Sequence, residues 1–418
     1  MKFREITIPY GKSHVNVSIP CSNLIWEKGP KSGSSDPNCI DRALENPVNS
    51  LKIQDLARGR NNALIIIDDK TRNTPTDIIL PKVINQLKTA GIQDNKIVIL
   101  IALGTHNEMT KGEIIEKCGR DIFDKYRILQ HDYNNYENLS YYGRVDLEIP
   151  IWINKIYLES DIKIAIGKII PHVDVVWSGG AKIIVPGICG KETVEKFHLA
   201  STKNKDKLKG KVDNIVRKAM EDIAGRTGLD FILNVIVDEN QNLIDAVAGN
   251  FVHAHRKGVE IAEKIFTVDK NTQKADLILI SSYPADEDFW QAGKAVSAAV
   301  PLVKEGGDLV LVSPCYKGFS PDHPVLIESL IKGLEATEKA ISEKKTPDIA
   351  GAAVAIDVLK IINKNNICLY SRDLDEDLLN RINFQKINNL QEYIDNYIMQ
   401  NPDCKIGVIY SGTEIMVI

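Results

Sequence analysis

The chain has 418 residues, of which 44% are hydrophobic and 26% charged, so a globular protein of two domains is expected. The formal net charge is −4, and no basic field predicts a nucleic-acid partner. The apolar runs have strand length and the first residues lack a signal-peptide core, so we expect neither membrane insertion nor secretion. Seven cysteines without a Cys-x-x-Cys pair suit reduced thiols in a cytoplasmic protein.

The first half of the chain predicts a hairpin followed by repeated strand–loop–helix units. Alternation of apolar and polar residues over 6–20 is typical of the hairpin. The two units that follow comprise a strand at 63–67, the loop DDKTRNTP at 68–75 and a helix at 76–90, then a strand at 96–103, the loop GTHNEMT at 104–110 and a helix through Cys118. This order favours a parallel sheet with crossover helices.

A third apolar run, 162–166, predicts another buried strand, and it leads into a glycine-rich loop and then a helix that carries His198. Later segments alternate again between strands (277–281, 308–313, 367–371 and 405–410) and helices (289–303, 324–336, 348–363, 376–383 and 390–399). We therefore expect an α/β fold with an N-terminal domain at 1–266, a linker at 267–275 and a C-terminal domain at 276–410. A closing strand within 411–418 fits either domain.

Two histidines and one lysine in the strand-end loops are candidates for chemistry. His106 and His172 carry imidazole, the group best suited to proton transfer near neutral pH. Lys182 has an amine that can bond covalently to a carbonyl or acyl group. The alternatives are loop histidines bound to nearby backbone and a surface lysine. In open α/β sheets, however, sites gather at the carboxyl ends of strands.

Glycines and charged pairs near these residues suggest anion binding. The turn Ser178-Gly179-Gly180 precedes Lys182 and permits close approach of a ligand to backbone N–H groups. Asp69 and Arg72 suggest a guanidinium fork oriented by a carboxylate, or an ion pair that shapes the loop. Gln291 and Lys294 share a face near a helix start, where a solvated helix face is the alternative. His198, taken alone, is an ordinary packed or surface histidine.

The common cofactor and nucleophile motifs are absent from the sequence. It contains no Gly-x-Gly-x-x-Gly after a strand, no phosphate-binding Gly-x-x-x-x-Gly-Lys-Ser/Thr loop, no Gly-x-Ser-x-Gly elbow and no His-Glu-x-x-His pair. These motifs mark dinucleotide binding, nucleoside triphosphate binding, serine hydrolases and zinc proteases, respectively. A conventional nicotinamide dehydrogenase is therefore disfavoured.

Four segments, taken in order, resemble the signatures of the nickel-dependent lactate racemase family. They are DDKTRNTP at 68–75, GTHNEMT at 104–110, PHVDVVWSGGAKIIVPG at 171–187 followed by His198, and WQAGK at 290–294. The resemblance covers most of the chain. It implies two α/β domains with parallel or mixed sheets and an active site in the cleft between them.

The same resemblance implies a cofactor that the residues alone do not reveal. This is nickel within a nickel-pincer nucleotide, the pyridinium-3-thioamide-5-thiocarboxylate mononucleotide, covalently linked to Lys182. His198 would be the protein ligand of nickel, and two sulfurs and a ring carbon of the nucleotide would complete the coordination. Cofactor-maturation proteins are expected partners. The residues expected near the cofactor phosphate are Thr71, Ser178, Gly179 and Gly180.

The implied reaction is racemisation or 2-epimerisation of a 2-hydroxy acid. His106 and His172 would flank the substrate, each as base for one enantiomer and acid for the other, while the α-hydrogen moves to and from the cofactor as hydride. The substrate carboxylate would be held by Arg72, Gln291 and Lys294. Asp69 would orient Arg72.

The identity of the substrate is left open by the resemblance. Trp290 stands where a tyrosine is more usual, and we expect it at the substrate. Lactate, a larger 2-hydroxy acid and a sugar acid therefore all remain substrates to consider. The alternative function is a non-catalytic cleft-type binding protein for a carboxylate or nucleotide, which would not need His106, His172, Lys182 and His198 together.

Overall fold

The structure is a computed structural model that describes residues 2–31, 33–172, 175–208, 210–238 and 242–418. Its strands, in chain order, are β1 (Phe3–Tyr10), β2 (Ser13–Pro20), β3 (Leu24–Lys28), β4 (Ala63–Asp68), β5 (Ile97–Ala102), β6 (Arg127–Gln130), β7 (Leu139–Val145), β8 (Ile149–Asn154), β9 (Ile162–Lys168), β10 (Pro171–His172), β11 (Val176–Trp177), β12 (Phe231–Val237), β13 (Leu243–Gly249), β14 (Thr267–Val268), β15 (Ala275–Ser281), β16 (Val303–Val312), β17 (Asn366–Tyr370), β18 (Gln385–Ile387), β19 (Ile406–Ile409) and β20 (Met416–Val417).

The α-helices are α1 (Cys39–Glu45), α2 (Ile53–Leu56), α3 (Thr76–Thr89), α4 (Lys111–Cys118), α5 (Arg120–Lys125), α6 (Lys155–Glu159), α7 (Lys191–Leu208), α8 (Ile215–Arg226), α9 (His253–Phe266), α10 (Phe289–Ala299), α11 (Val325–Lys332), α12 (Leu334–Ser342), α13 (Ile349–Ile362), α14 (Glu376–Arg381) and α15 (Leu390–Gln400). Short 3₁₀ turns occupy Asp94–Lys96, Tyr136–Asn138, Asp146–Glu148, Gly180–Ile183, Val300–Leu302 and Gly412–Glu414. No helix within the described ranges is long and apolar enough to cross a membrane.

The chain divides into two compact units. The N-terminal unit contains the described residues of 31–170 and 174–265, and the C-terminal unit contains those of 1–30, 171–173 and 266–418. The predicted boundary near 266 therefore lies where the second run of strands and helices begins. The first 30 residues differ from the expected domain 1–266, because β3 pairs with β19 in the C-terminal unit. Sequence order gives no sign of that pairing.

The N-terminal unit is built on a six-stranded sheet with the order β13-β12-β9-β4-β5-β6, as far as its residues are described. Neighbours are parallel except for the antiparallel pair β12–β13. The central strands are buried along nearly their whole length, as expected for a parallel sheet covered on both faces. The prediction of an α/β fold with a parallel or mixed sheet is confirmed.

The C-terminal unit has a second six-stranded sheet in its described part, in the order β18-β17-β16-β15-β19-β3, and all of its pairs are parallel. The β1–β2 hairpin is antiparallel, as predicted, and it contributes Ile6, Ile8 and Ile19 to this unit's core. The expected linker 267–275 contains β14, which pairs with the closing strand β20. Both therefore belong to the C-terminal unit.

One predicted helix is interrupted in the structure. The segment 324–336 is divided between α11 and α12 at Gly333, which has φ +84°, a backbone conformation that glycine adopts readily. All seven cysteines are free in the structure.

Candidate active site

Three loops of the N-terminal unit leave adjacent strands at the same edge of its sheet. β4 pairs in parallel with β5 on one side and with β9 on the other. Their carboxyl ends therefore lie together, which is where ligands bind in open α/β sheets. Asp69 follows β4, His106 follows β5, and the Ser-Gly-Gly turn with Lys182 follows β9.

Asp69 and His106 form a hydrogen-bonded pair at this edge. The carboxylate is 4% exposed, and its Oδ2 lies 2.5 Å from Nδ1 of His106. Burial alone would raise the pKa of Asp69, but the charge and hydrogen bond of His106, with the charge of Arg72, hold that pKa well below its ordinary value. An ionised carboxylate only accepts hydrogen bonds. Nδ1 of His106 is therefore the donor in this hydrogen bond.

Thr71 donates hydrogen bonds to the other carboxylate oxygen of Asp69. Its backbone N–H and its hydroxyl donate to Oδ1 at 2.8 and 2.6 Å. The guanidinium of Arg72 contacts the carbonyl and hydroxyl oxygens of Thr71, both at 3.3 Å. Asp69 thus orients His106 through a direct bond, whereas Arg72, which the sequence predicted as its partner, is linked to it through Thr71. The Thr71 hydroxyl proton, proposed for a phosphate, is donated to Asp69.

A buried lysine that sequence reasoning missed holds the loop of Arg72 in place. Lys117 on α4 is 8% exposed, and its ammonium lies 2.7 Å from Oδ1 of Asp68. It also donates to the carbonyl oxygens of Arg72 and Thr74, at 2.7 and 3.3 Å. The Thr74 hydroxyl donates to Oδ2 of Asp68 at 2.5 Å. Lys117 therefore holds in place the backbone of the loop that carries Arg72.

The polar groups of the Ser178-Gly179-Gly180 turn are used within the protein. The Ser178 hydroxyl donates to the carbonyl of Lys168 at 2.8 Å and accepts from the N–H of Ile170 at 2.9 Å. The Gly180 N–H donates to the side-chain oxygen of Asn234 at 2.8 Å. These two groups shape the turn, so the structure gives no support for their predicted contact with a cofactor phosphate.

The carbonyl oxygens of the same turn accept hydrogen bonds from two fully buried side chains. Arg217 donates to the carbonyls of Trp177 and Gly179, and Nε2 of His255 donates to that of Ser178 at 2.8 Å. Burial, together with the charge of Arg217, holds the pKa of His255 well below its ordinary value, so the ring is a neutral donor. Arg217 drew no notice in the sequence, because it lies on a helix among ordinary polar residues.

Lys182 and His198 have the donor chemistry that the predicted cofactor requires. Lys182 lies in the 3₁₀ turn Gly180–Ile183 and His198 on α7, and both are half-buried. Among the described residues no group of three His, Cys, Asp or Glu side chains is arranged to hold a metal ion. A nickel ion at His198 would therefore take most of its ligands from a bound group. A pincer nucleotide tethered to the Lys182 amine provides such ligands, so the residues fit it.

The remaining predicted site residues lie in the C-terminal unit. His172 forms part of β10, whose Cα atoms approach those of the turn Gly412–Glu414 within 8 Å. Asp288 caps α10 by accepting the N–H of Gln291 at 2.8 Å, and the ammonium of Lys294 donates to the side-chain oxygen of Gln291 at 2.6 Å. Gln291 and Lys294 are therefore joined to each other at the start of α10.

Two family profiles together match most of the chain. The lactate racemase N-terminal domain matches residues 10–210, and the lactate racemase C-terminal domain matches residues 270–417. The chain belongs to the lactate racemase family. It is thereby an isomerase, and the resemblance based on four short segments is confirmed.

Relatives of this racemase-family chain include two curated lactate racemases. The one from Thermoanaerobacterium thermosaccharolyticum is 34% identical over 323 residues, 75% of each chain. The one from Lactiplantibacillus plantarum is 27% identical over 423 residues, 99% of each chain. A solved structure of the lactate racemase apoprotein from T. thermosaccharolyticum matches with a TM-score of 0.90 at 28% identity, covering 99% of this chain and 100% of that one. A Thermotoga maritima protein shares the fold, with a TM-score of 0.70 at 22% identity over 89% and 99% of the two chains.

Proposed function

We propose that this chain racemises or 2-epimerises a 2-hydroxy acid, lactate or a larger acid, with a nickel-pincer nucleotide tethered to Lys182 and His198 as the protein ligand of nickel. Family membership supports the reaction class. The observation that carries the proposal is the Asp69–His106 pair, because a protein that only captures an anion has no use for a buried carboxylate that fixes the protonation of a histidine.

Proton transfer is the part of the reaction that these side chains perform. When bound, the nucleotide supplies an acceptor that takes the α-hydrogen as hydride and returns it. The hydroxyl proton must leave C2–OH in the same event, and Nε2 of His106 accepts it. Asp69 stabilises the imidazolium that results, as a carboxylate on Nδ1 does for a catalytic histidine. His172 performs the same transfer for the opposite enantiomer.

The substrate carboxylate is the group that fixes the acid during this exchange. We assign it to Arg72 together with Gln291 and Lys294. Arg72 offers a planar fork that matches a carboxylate, and its backbone is held by Lys117. Trp290 beside Gln291 forms an apolar wall. The proposal also requires proteins that build and attach the nucleotide.

The test is configuration exchange by protein matured with its cofactor-building proteins. The matured chain should convert each enantiomer of at least one 2-hydroxy acid into the other, without net oxidation, and intact mass spectrometry should show an increment on the peptide that contains Lys182. The screen should cover lactate, malate, longer hydroxy acids and aldonates. A cofactor-loaded chain that binds these acids and scrambles none of them refutes the proposal and leaves the binding-protein alternative.

A further inference from the structure

A second His–Asp pair lies in the C-terminal unit, and the proposed proton transfer does not use it. His323 is 5% exposed, and its Nδ1 lies 2.8 Å from Oδ2 of Asp348. Asp348 caps α13 by accepting the N–H of Gly351 at 2.9 Å. Burial would raise the pKa of Asp348, but these two hydrogen bonds hold it below its ordinary value. Nδ1 of His323 is therefore a hydrogen-bond donor to an ionised carboxylate.

The other nitrogen of this ring is buried without a partner. Nε2 of His323 has no hydrogen-bond partner within the described part of the chain. Buried polar atoms in proteins are nearly always bonded, and each exception calls for an explanation. The bond to Asp348 prevents the ring from turning to find a partner. In the neutral ring, Nε2 bears a lone pair and can only accept, so the missing partner is a donor such as a hydroxyl group.

The ring of His323 packs against the helix that carries the proposed substrate groups of the same unit. The indole of Trp290 stacks on the His323 ring, with centroids 3.9 Å apart and planes 18° apart. Trp290 directly precedes Gln291 on α10 and lies about one helical turn from Lys294. The backbone N–H of Trp290 donates to the carbonyl of Phe319 at 3.1 Å, which joins the start of this helix to the loop that leads to His323.

We propose that His323 is a specificity-determining residue whose Nε2 accepts a hydrogen bond from a hydroxyl group on C3 of the substrate. This inference rests on the proposed function and deepens it. A carboxylate held at Gln291 and Lys294 directs the chain beyond C2 along Trp290 toward His323. The favoured substrates are then 2,3-dihydroxy acids, of which glycerate is the smallest. Lactate has a methyl group at this position and leaves Nε2 unpaired.

Two substitutions of His323 test the roles of its two ring nitrogens separately. In His323→Asn the amide NH₂ stands near the place of Nδ1 and keeps the bond to Asp348, but nothing replaces Nε2. In His323→Gln the longer side chain reaches the place of Nε2. His14→Asn, at the exposed tip of the β1–β2 hairpin, is the matched control. Far-ultraviolet circular dichroism and the melting temperature establish that each variant is folded.

Binding of glycerate, lactate and malate to the full-length chain is measured by calorimetry, and turnover is measured with the matured protein. We expect glycerate to bind at least about tenfold more tightly than lactate, as loss of one hydrogen bond to a buried group predicts. His323→Asn should abolish this difference and change lactate affinity by less than about threefold. His323→Gln should restore part of it, and His14→Asn should leave it intact.

The inference would be overturned if glycerate and lactate bound with equal affinity, if glycerate did not bind, or if malate bound most tightly. It would also be overturned if His323→Asn weakened the binding of all three acids equally. The proposed function fails separately. If no acid changes configuration while the His323-dependent glycerate preference persists in binding, racemisation is refuted and the role of His323 stands. If the wild-type chain and all variants racemise lactate as fast as glycerate, the role of His323 is refuted and racemisation stands.

Discussion

Replacing Asp69 by asparagine removes the charge that fixes the protonation of His106. The carboxylate is 4% exposed and lies 2.5 Å from Nδ1, so the asparagine side chain takes its place against the ring. If its NH₂ group faces Nδ1, the ring must place its proton on Nε2, which then cannot act as a base. General acid–base catalysis contributes about 10²–10⁴-fold, equivalent to about 3–5 kcal/mol of barrier. We expect kcat on the preferred acid to fall by about that factor.

The assay is configuration exchange by matured Asp69→Asn, with Asp55→Asn on the exposed surface as control. For a racemised acid the two enantiomers have equal free energies, so kcat/KM must fall equally in both directions, which provides an internal check. Nickel content and the Lys182 mass increment should be unchanged. A variant that retains kcat within about fivefold would show that Asp69 does not set the protonation of His106.

Asp69 also makes a prediction for stability. Its pKa is depressed in the folded protein, so its ionised form stabilises the fold above the ordinary aspartate pKa of about 3.9. This stabilisation is lost as the pH falls below that value and toward the folded-state pKa. Denaturant unfolding between about pH 5 and 3 should show a steeper loss of stability in the wild-type chain than in Asp69→Asn. Parallel curves would contradict the assignment.

Further substitutions test the remaining assignments. His198→Ala should lose nickel by elemental analysis while its melting temperature changes by only a few degrees, and full nickel retention would refute its role as ligand. Lys182→Ala should show no mass increment after maturation, and an increment on this variant would exclude the tether. Lys117→Met leaves Asp68 without its buried partner, so the free energy of unfolding should fall by about 3–5 kcal/mol; a change below about 1 kcal/mol would mean that the loop does not depend on it. Gly179→Ala should lower that free energy by about 1–3 kcal/mol, since the residue has φ +77° and a Cβ would lie 2.8 Å from Oδ1 of Asn234; a neutral result would mean that the turn adapts.

The fold was largely predictable because its central strands are long apolar runs with clear loops between them. The runs at 63–67 and 162–166 became β4 and β9. Strand β3 was missed because every residue in it is only half-buried, as expected at a sheet edge. Its partner β19 lies hundreds of residues later, and no local pattern reports a pairing over that distance.

The sequence names candidate site residues, but the contacts between them could not be predicted from it. Asp69 and Arg72 were paired because they are three residues apart, whereas the structure pairs Asp69 with His106 from another strand end. Lys117 and Arg217 were missed since a charged residue on a helix is usually solvated. Both are buried here because carbonyl oxygens of neighbouring loops need donors. These carbonyl oxygens meet the two side chains only in the folded protein, so the sequence does not reveal that they require buried donors.

The bonds from Arg217 and His255 to the turn before Lys182 have a consequence for the order of events in the cell. The shape of that turn is determined by side chains of the protein itself, so we expect it to form when the chain folds. Under the proposed function, little conformational entropy would then remain to be lost when the nucleotide is attached to Lys182. We therefore propose that the chain folds first and that the cofactor is attached to the folded protein.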